Sequence, residues 1–375
     1  YYLPSDYVGK AGLELMYEDR LHGEDGSMLV TNYAYGRPQF RTDRTGAPSA
    51  ARRDSHGNML EEIDGSRVDP RSGEPLHLTL DMALQAHCED LLRGEVGAIV
   101  VLEAETGAVR AMASTPGFDP NIFVDRVPGD ARMALLEDKA RPMIHRAYQD
   151  NYAPGSVFKI MMAAAALEEG VINENTTFYC PGSFRIGNSR PWYCWRRGGH
   201  GHVNVVDALA YSCDVFFYNV GLALGHDRIL EWAHRFSFGE KTGIDLPGEN
   251  PALMPTEEWK QQLLAELPIH DRNWFAGDTV NLSIGQGYAL TTPLQNAVMV
   301  AAILNGGRRV RPYLNAALDP ELSEPFLSER TLALVLAGTQ KCVEKDTYPS
   351  GTGTAARIEG MTVIGKTGTA QVASL

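Results

Sequence analysis

The stretch YAPGSVFKIMMAAAALEEG, residues 152–170, sets Ser156 and Lys159 three positions apart at the start of an apolar run. Pro154 and Gly155 turn the chain, and a helix beginning near Ser156 carries both side chains on one face, one turn apart. Two readings fit those residue types. A serine hydroxyl beside a basic group is an activated nucleophile. A serine at a helix start is also an ordinary N-cap, here next to a surface lysine. Two further stretches bear on the choice. YSCDVFFYN places Ser212 and Asp214 inside an apolar helical segment, where polar side chains need hydrogen-bond partners. GKTGTAQ holds Lys366-Thr367-Gly368 on a strand that continues the β-rich MTVIG. The tripeptide occurs twice, but Lys241-Thr242-Gly243 lies in FSFGEKTGIDLPGE, a glycine-flanked turn after a helix, and reads as structural.

A second constellation lies nearby. Cys180, Cys194, His200 and Cys213 follow the spacing C-x13-C-x5-H-x12-C, and three thiolates with one imidazole are a common tetrahedral zinc set. The intervening CPGSFRIGNSRPWYCWRRGGHGH is rich in Gly, Pro and Arg and has little apolar period, so a metal clip would hold it. Competing readings are a Cys180–Cys194 disulfide, with Cys213 a small buried hydrophobe, or free thiols throughout. Of His200 and His202, His200 is the preferred ligand. Cys88 and Cys342 read as structural.

The elements that must position these groups follow from pattern. LMYEDRLHG is one short helix in an otherwise polar N-terminal stretch, residues 1–75, closed by the Pro/Gly-containing VDPRSGEP. Residues 76–94 read as a strand running into an amphipathic helix with Asp81 as cap. Residues 97–115 form a β-hairpin around Glu105-Thr106-Gly107. Helical periods dominate from about 130 to 235, and TTPLQNAVMVAAILNGG, 291–307, is a helix with a Gly-Gly stop. Strands first, helices in the middle and strands last make an α+β domain whose sheet is assembled from both ends of the segment. The expected organisation is an N-terminal module over 1–75 and a second domain over 76–375.

Composition narrows the partners. Acidic residues outnumber basic ones 47 to 34, for a formal net charge of −13, which argues against nucleic acid. No run approaches 18 apolar residues, so no segment reads as a membrane span. The chain starts on Tyr1, which reads as a fragment.

The ordered set S-x-x-K, S-x-[ND], K-T-G resembles the signature of penicillin-binding proteins and class A β-lactamases. Further stretches, YVGKAGLELMYEDRLHGEDG, LTLDMALQ, GAIVVLEAETGAVRAMASTPGFDPN and IGQGYALTTPLQNA, extend the likeness over the whole chain, which resembles a class B penicillin-binding protein. CWRRGGHGHVNVVDALAYSCDVFFY, with Asp214 in the third motif position, is similar to the elongation subgroup. The resemblance implies a β-lactamase-like transpeptidase domain of α+β class behind a β-rich N-terminal pedestal. It implies a peptidoglycan D,D-transpeptidase acylated by β-lactams, with Ser156 as nucleophile, Lys159 as base, Ser212 as proton relay, Asp214 as their support and Lys366 as the second cation that favours a neutral Lys159. Thr367, Gly368 and Thr369 would bind the substrate's carboxyl end, and the N–H groups of Ser156 and Thr369 would form the oxyanion hole. One structural zinc and no organic cofactor are expected. The implied setting is the periplasmic face of the bacterial inner membrane, with an anchor upstream of Tyr1 and a polytopic glycosyltransferase bound through the N-terminal module. The family's domain has further strands and a closing helix after the K-T-G. A β-lactamase or β-lactam sensor of the same fold, and a scaffolding subunit, are the alternatives.

Overall fold

Asp81 accepts hydrogen bonds from the backbone N–H groups of Ala83 and Leu84, and this cap starts α1, Met82–Leu91. The hairpin follows as its alternation predicts. β1, Gly97–Leu102, pairs antiparallel with β2, Val109–Thr115, and α1 covers one face through Cys88, Ala111 and Ala113. The computed structural model describes residues 8–24, 41–42, 48–49, 52–53, 59–60, 69–123, 129–344 and 350–370. The chain divides into two compact units, Tyr1–His77 and Leu78–Leu375.

In the first unit, the single helix expected over LMYEDRLHG is two short ones, Gly12–Met16 and Glu18–Leu21, broken at Tyr17. Its described strands are two-residue pairs, 41–42 with 48–49 and 52–53 with 59–60.

The core of the second unit is helical. α2, Lys159–Glu168, is buried along eight consecutive residues from Lys159 to Ala166. A helix apolar on every side has to be enclosed by others. The enclosing elements begin with β3, Phe178–Cys180, paired antiparallel with β4, Gly201–Val203. Then come α3, Val205–Ala210, and α4, Asp214–Leu224, whose Phe216 and Phe217 are fully buried. Burying a side chain of that size is worth about 1.5–3 kcal/mol. α5, Ala276–Leu282, packs on α4. α6, Pro293–Leu304, starts on a capping box between Thr292 and Gln295, and Gly306 and Gly307 follow it at positive φ, as the sequence predicts. α7, Glu329–Val343, packs on α3.

The expected C-terminal strand fails as well. Residues 363–370, with the K-T-G, carry no strand, and the sheet expected from both ends of the segment is absent among the described residues; β1 and β2 form a two-stranded sheet. The reason lies in the partners. Gly365 N–H donates to Thr339 O of α7 at 3.1 Å, and Thr369 O accepts from the Gln286 side chain at 3.2 Å. Those backbone groups are satisfied by a helix and a side chain instead of a ladder. The strand expected from residue 76 is likewise a single bridge, Leu78 to Asn315.

Candidate active site

Ser156 does not cap a helix. It lies in a single 3₁₀ turn, Gly155–Val157, and α2 begins three residues later without a side-chain cap. The capping reading of Ser156 therefore falls. The surface-lysine reading falls as well, because Lys159 has no solvent exposure.

Three oxygens surround the Lys159 amine. Nζ donates to Ser212 O at 3.1 Å, to Ser212 Oγ at 3.2 Å and to Asp214 Oδ1 at 2.5 Å. An ammonium has three N–H donors, so this set uses all of them. The turn between α3 and α4 makes the arrangement possible. Ser212 stands in the left-handed region at φ +53°, which lets its carbonyl and its hydroxyl face the same amine. Cys213 N–H, bonded to Ala208 O at 2.9 Å, holds the turn, and Asp214 opens α4.

Asp214 is shared. Its Oδ2 accepts from the Trp195 backbone N–H at 2.9 Å, and the Trp195 indole donates to Tyr211 O at 2.9 Å. The loop carrying Cys194 is thus tied to the helix carrying Asp214. Ser156, Ser212, Asp214, Thr367, Gly368 and Thr369 line one cleft of about 910 Å³. Its backbone is tightly stacked. Gly155 N–H bonds Gly285 O at 2.9 Å. A Cβ on Gly155 would lie 2.6 Å from Thr369 O, and one on Gly285 would lie 2.3 Å from Gly155 O. Only glycine permits both approaches, and both positions have positive φ.

Lys366 is half-buried, and its Nζ donates to Thr367 O at 3.0 Å. Burial first, and then the Lys159 cation, pull its amine down to about 7. The amine expected as the fixed second cation is therefore itself titratable near neutrality. Thr367 Oγ1 lies 2.7 Å from Thr352 Oγ1.

The four metal-site candidates converge. One ligand atom from each of Cys180, Cys194, His200 and Cys213 lies within 4.8 Å of all the others. His200 Nδ1 stands 3.7 Å from Cys180 Sγ and 3.4 Å from Cys194 Sγ, while the His202 ring packs on Tyr179. All five cysteines are free, so the disulfide reading of Cys180 and Cys194 is corrected: β3, the loop and the α4 N-terminus bring two thiols to a third thiol and an imidazole. Hydrogen bonds from Cys213 and His200 draw Cys180 down to about 6 and Cys194 to about 3, and the two neighbouring thiols push Cys213 up. The shifts of Cys180 and Cys194 run toward the thiolates a metal requires, and that of Cys213 runs the other way. Cys88 and Cys342 are buried away from this group.

Several site residues carry no signal of their own in the sequence. Trp195 acts through a backbone N–H, Thr352 through a partner 15 positions on, and Gln286 through a carbonyl 83 positions on. Only the glycine spacing of IGQG marks the last as unusual. Lys241 is exposed, and Thr242 and Gly243 are bonded to Glu249, as a structural turn requires.

Residues 97–375 match the penicillin binding protein transpeptidase domain, and residues 1–53 the penicillin-binding protein dimerisation domain. The peptidoglycan D,D-transpeptidase MrdA of Escherichia coli K12 is 37% identical over 314 residues, 84% of this chain and 45% of that protein. The penicillin-binding protein PBP2 of Helicobacter pylori, solved in complex with MreC, has a TM-score of 0.80 at 30% identity, covering 97% of this chain and 63% of that one. A peptidoglycan synthase complex that coordinates polymerization and crosslinking contains a chain with a TM-score of 0.78 at 32% identity, covering 99% of this chain and 62% of that one. The chain spans about half the length of the curated relatives it matches.

Proposed function

Since this chain belongs to the penicillin-binding protein transpeptidase family, we propose that it is a serine peptidoglycan D,D-transpeptidase of the elongation type. The observation that carries the reading is the buried Lys159 amine, bonded to Ser212 and Asp214, which line one cleft with Ser156, Thr367 and Gly368. Ser156 Oγ attacks the carbonyl between two D-alanines of a stem peptide. Lys159, once neutral, takes the hydroxyl proton. Ser212 relays a proton to the leaving amine, D-alanine departs, and an ester remains on Ser156. The amine of a second stem peptide then attacks the ester carbonyl, the cross-link forms and the serine is regenerated. Lys366, Thr367 and Thr369 hold the terminal carboxylate, and Gly368 lets the substrate backbone approach. The N–H groups of Ser156 and Thr369 stabilise the oxyanion, a donor of this kind being worth about 3–4 kcal/mol. Gln286, bonded to Thr369 O, keeps that residue in place.

β-Lactams acylate the same serine in this reading. Mass spectrometry tests it: protein mixed with penicillin gains one adduct, which Ser156→Ala abolishes. An adduct of normal stoichiometry on the alanine variant overturns the assignment. A β-lactamase would clear the adduct within seconds to minutes, and a scaffold would form none.

One structural zinc belongs to the proposal. Cys180, Cys194, His200 and Cys213 would hold it, and the donor set and its mutual distances support the fit. Its chemistry would be a clip joining the loop to the N-terminus of α4 beside Asp214. Protein purified without chelator should carry about one zinc per chain, lost together with thermal stability in Cys180→Ser or Cys194→Ser. Absence of zinc with all thiols titratable overturns it.

The proposed setting is the periplasmic face of the inner membrane, where the N-terminal module, residues 1–75, meets a polytopic glycosyltransferase. The dimerisation-domain match, the relative solved in complex with MreC and the one solved within a peptidoglycan synthase complex support it. Co-purification of the two proteins, lost on deleting residues 1–75, is the expected result.

A further inference from the structure

One charged side chain in the cleft has no part in the reaction above. Arg197 lines the same cleft as Ser156 and Thr369. The arginine ion pairs among the described residues involve other arginines, and Arg197 is in none of them. It is not there to neutralise the cleft's own acid either. Asp214 is the one carboxylate among the described lining residues, and Lys159 and the Trp195 N–H already occupy its two oxygens.

The side chain is nevertheless placed. Its guanidinium carbon sits 4.0 Å from the centre of the Tyr193 ring. Stacking on an aromatic face engages the plane of the guanidinium and leaves its edge, with the N–H fork, available for an anion. The backbone behind it is clamped. Gly182, at φ +93°, approaches so closely that a Cβ there would lie 2.0 Å from Arg197 O. Cys194 N–H bonds Gly182 O at 3.0 Å, and Gly199 N–H closes a turn on Arg196 O at 2.9 Å. Arg197 and Tyr193 are both exposed, so the stacking contact and the fixed backbone bias the fork toward the cleft and leave its N–H groups open to a carboxylate.

We propose that Arg197 is a specificity-determining residue that binds a second carboxylate of the donor stem peptide, on a residue N-terminal to the scissile bond. The inference rests on the transpeptidase reading, in which Lys366, Thr367 and Thr369 take the first, terminal carboxylate. Arg197 lines the same cleft as Thr367, Gly368 and Thr369, and extended peptide advances about 3.3–3.6 Å per residue. The second carboxylate therefore belongs to a residue near the first along the donor peptide, close enough for one cleft to hold both. The favoured substrate class is an acidic peptide, and one whose corresponding group is amidated is disfavoured.

The experiment uses two synthetic donor peptides ending in D-Ala-D-Ala, identical except for a free carboxylate or a carboxamide on the side chain preceding that pair. D-Alanine release is followed without an acceptor strand, so only donor binding and acylation are read. The wild-type protein should prefer the carboxylate peptide about tenfold in kcat/KM, mainly through KM. Arg197→Ala should abolish the preference and Arg197→Lys retain part of it, while both variants acylate with penicillin at rates within twofold of wild type. The proposal is overturned if wild type has no preference or if Arg197→Ala keeps it. It is also overturned if Arg197→Ala loses equally with both peptides and penicillin, since the residue would then serve the loop alone. Failure of wild-type protein to take up penicillin overturns the transpeptidase reading and this proposal with it.

Discussion

The same three residues occur twice in this chain with opposite consequences. In Lys241-Thr242-Gly243 the backbone N–H and hydroxyl of Thr242 and the N–H of Gly243 all donate to the buried carboxylate of Glu249, at 2.6–3.1 Å, and Lys241 points to solvent. The protein has used that tripeptide up. In Lys366-Thr367-Gly368 the amine is half-buried and drawn down to about 7, the threonine is exposed, and the glycine faces the cleft. A short motif acquires chemistry from the hydrogen-bonding capacity its surroundings leave unused.

The largest expected effect separates the two lysines by activity. Lys366→Ala should slow penicillin acylation of Ser156 by about 10²–10³-fold, the scale of a lost oxyanion-type contact. Lys241→Ala should leave the rate within twofold, as stopped-flow measurement will show; equal losses would break the contrast. Next comes stability. Glu249→Ala strands three donors behind a buried carboxylate and should cost about 3 kcal/mol in urea unfolding. Thr367→Ala, which removes an exposed hydroxyl, should cost under about 1 kcal/mol.

The third effect is on pH. If the Lys366 cation holds the substrate carboxylate, kcat/KM for a peptide donor falls about tenfold per unit above pH 7, and Lys366→Arg, charged throughout, removes that limb. Stability moves the other way. An unfolded lysine keeps its proton to about 10.4, whereas the folded Lys366 releases it near 7. Between those values the unfolded chain binds more protons, so this group makes stability rise with pH across that window. Denaturant midpoints at pH 7.5 and 9.5 should show the rise in wild type and a smaller one in Lys366→Met. The smallest effect is Lys241→Ala on stability, within about 0.5 kcal/mol.

Local signals were the legible ones. Asp81 and Thr292 announce their helices because a cap is settled within four residues. The Lys159, Ser212 and Asp214 set was legible because two polar residues in an apolar segment demand partners, and Lys159 supplies them, although Ser212 stands in the turn before α4 and not in the helix the sequence suggested. The cysteine and histidine set was legible from ligand types, while its freedom from a disulfide needed the backbone. What the sequence could not carry depends on distant partners. A strand at 363–370 requires a ladder, and α7 and Gln286 take those groups instead. The shift of Lys366 depends on its burial and on the Lys159 cation, which its own tripeptide does not show. Trp195 reaches Asp214 through a backbone atom, which any residue type would offer.

The stack of Gly155, Gly285 and Thr369 bears on heritable drug escape. Three chain segments meet there with no side chain between them, and one added carbon at either glycine would collide with a carbonyl. Codon changes at those positions damage the cleft before they can exclude an inhibitor. If the transpeptidase reading holds, tolerated changes should therefore concentrate at the exposed rim rather than at this glycine floor.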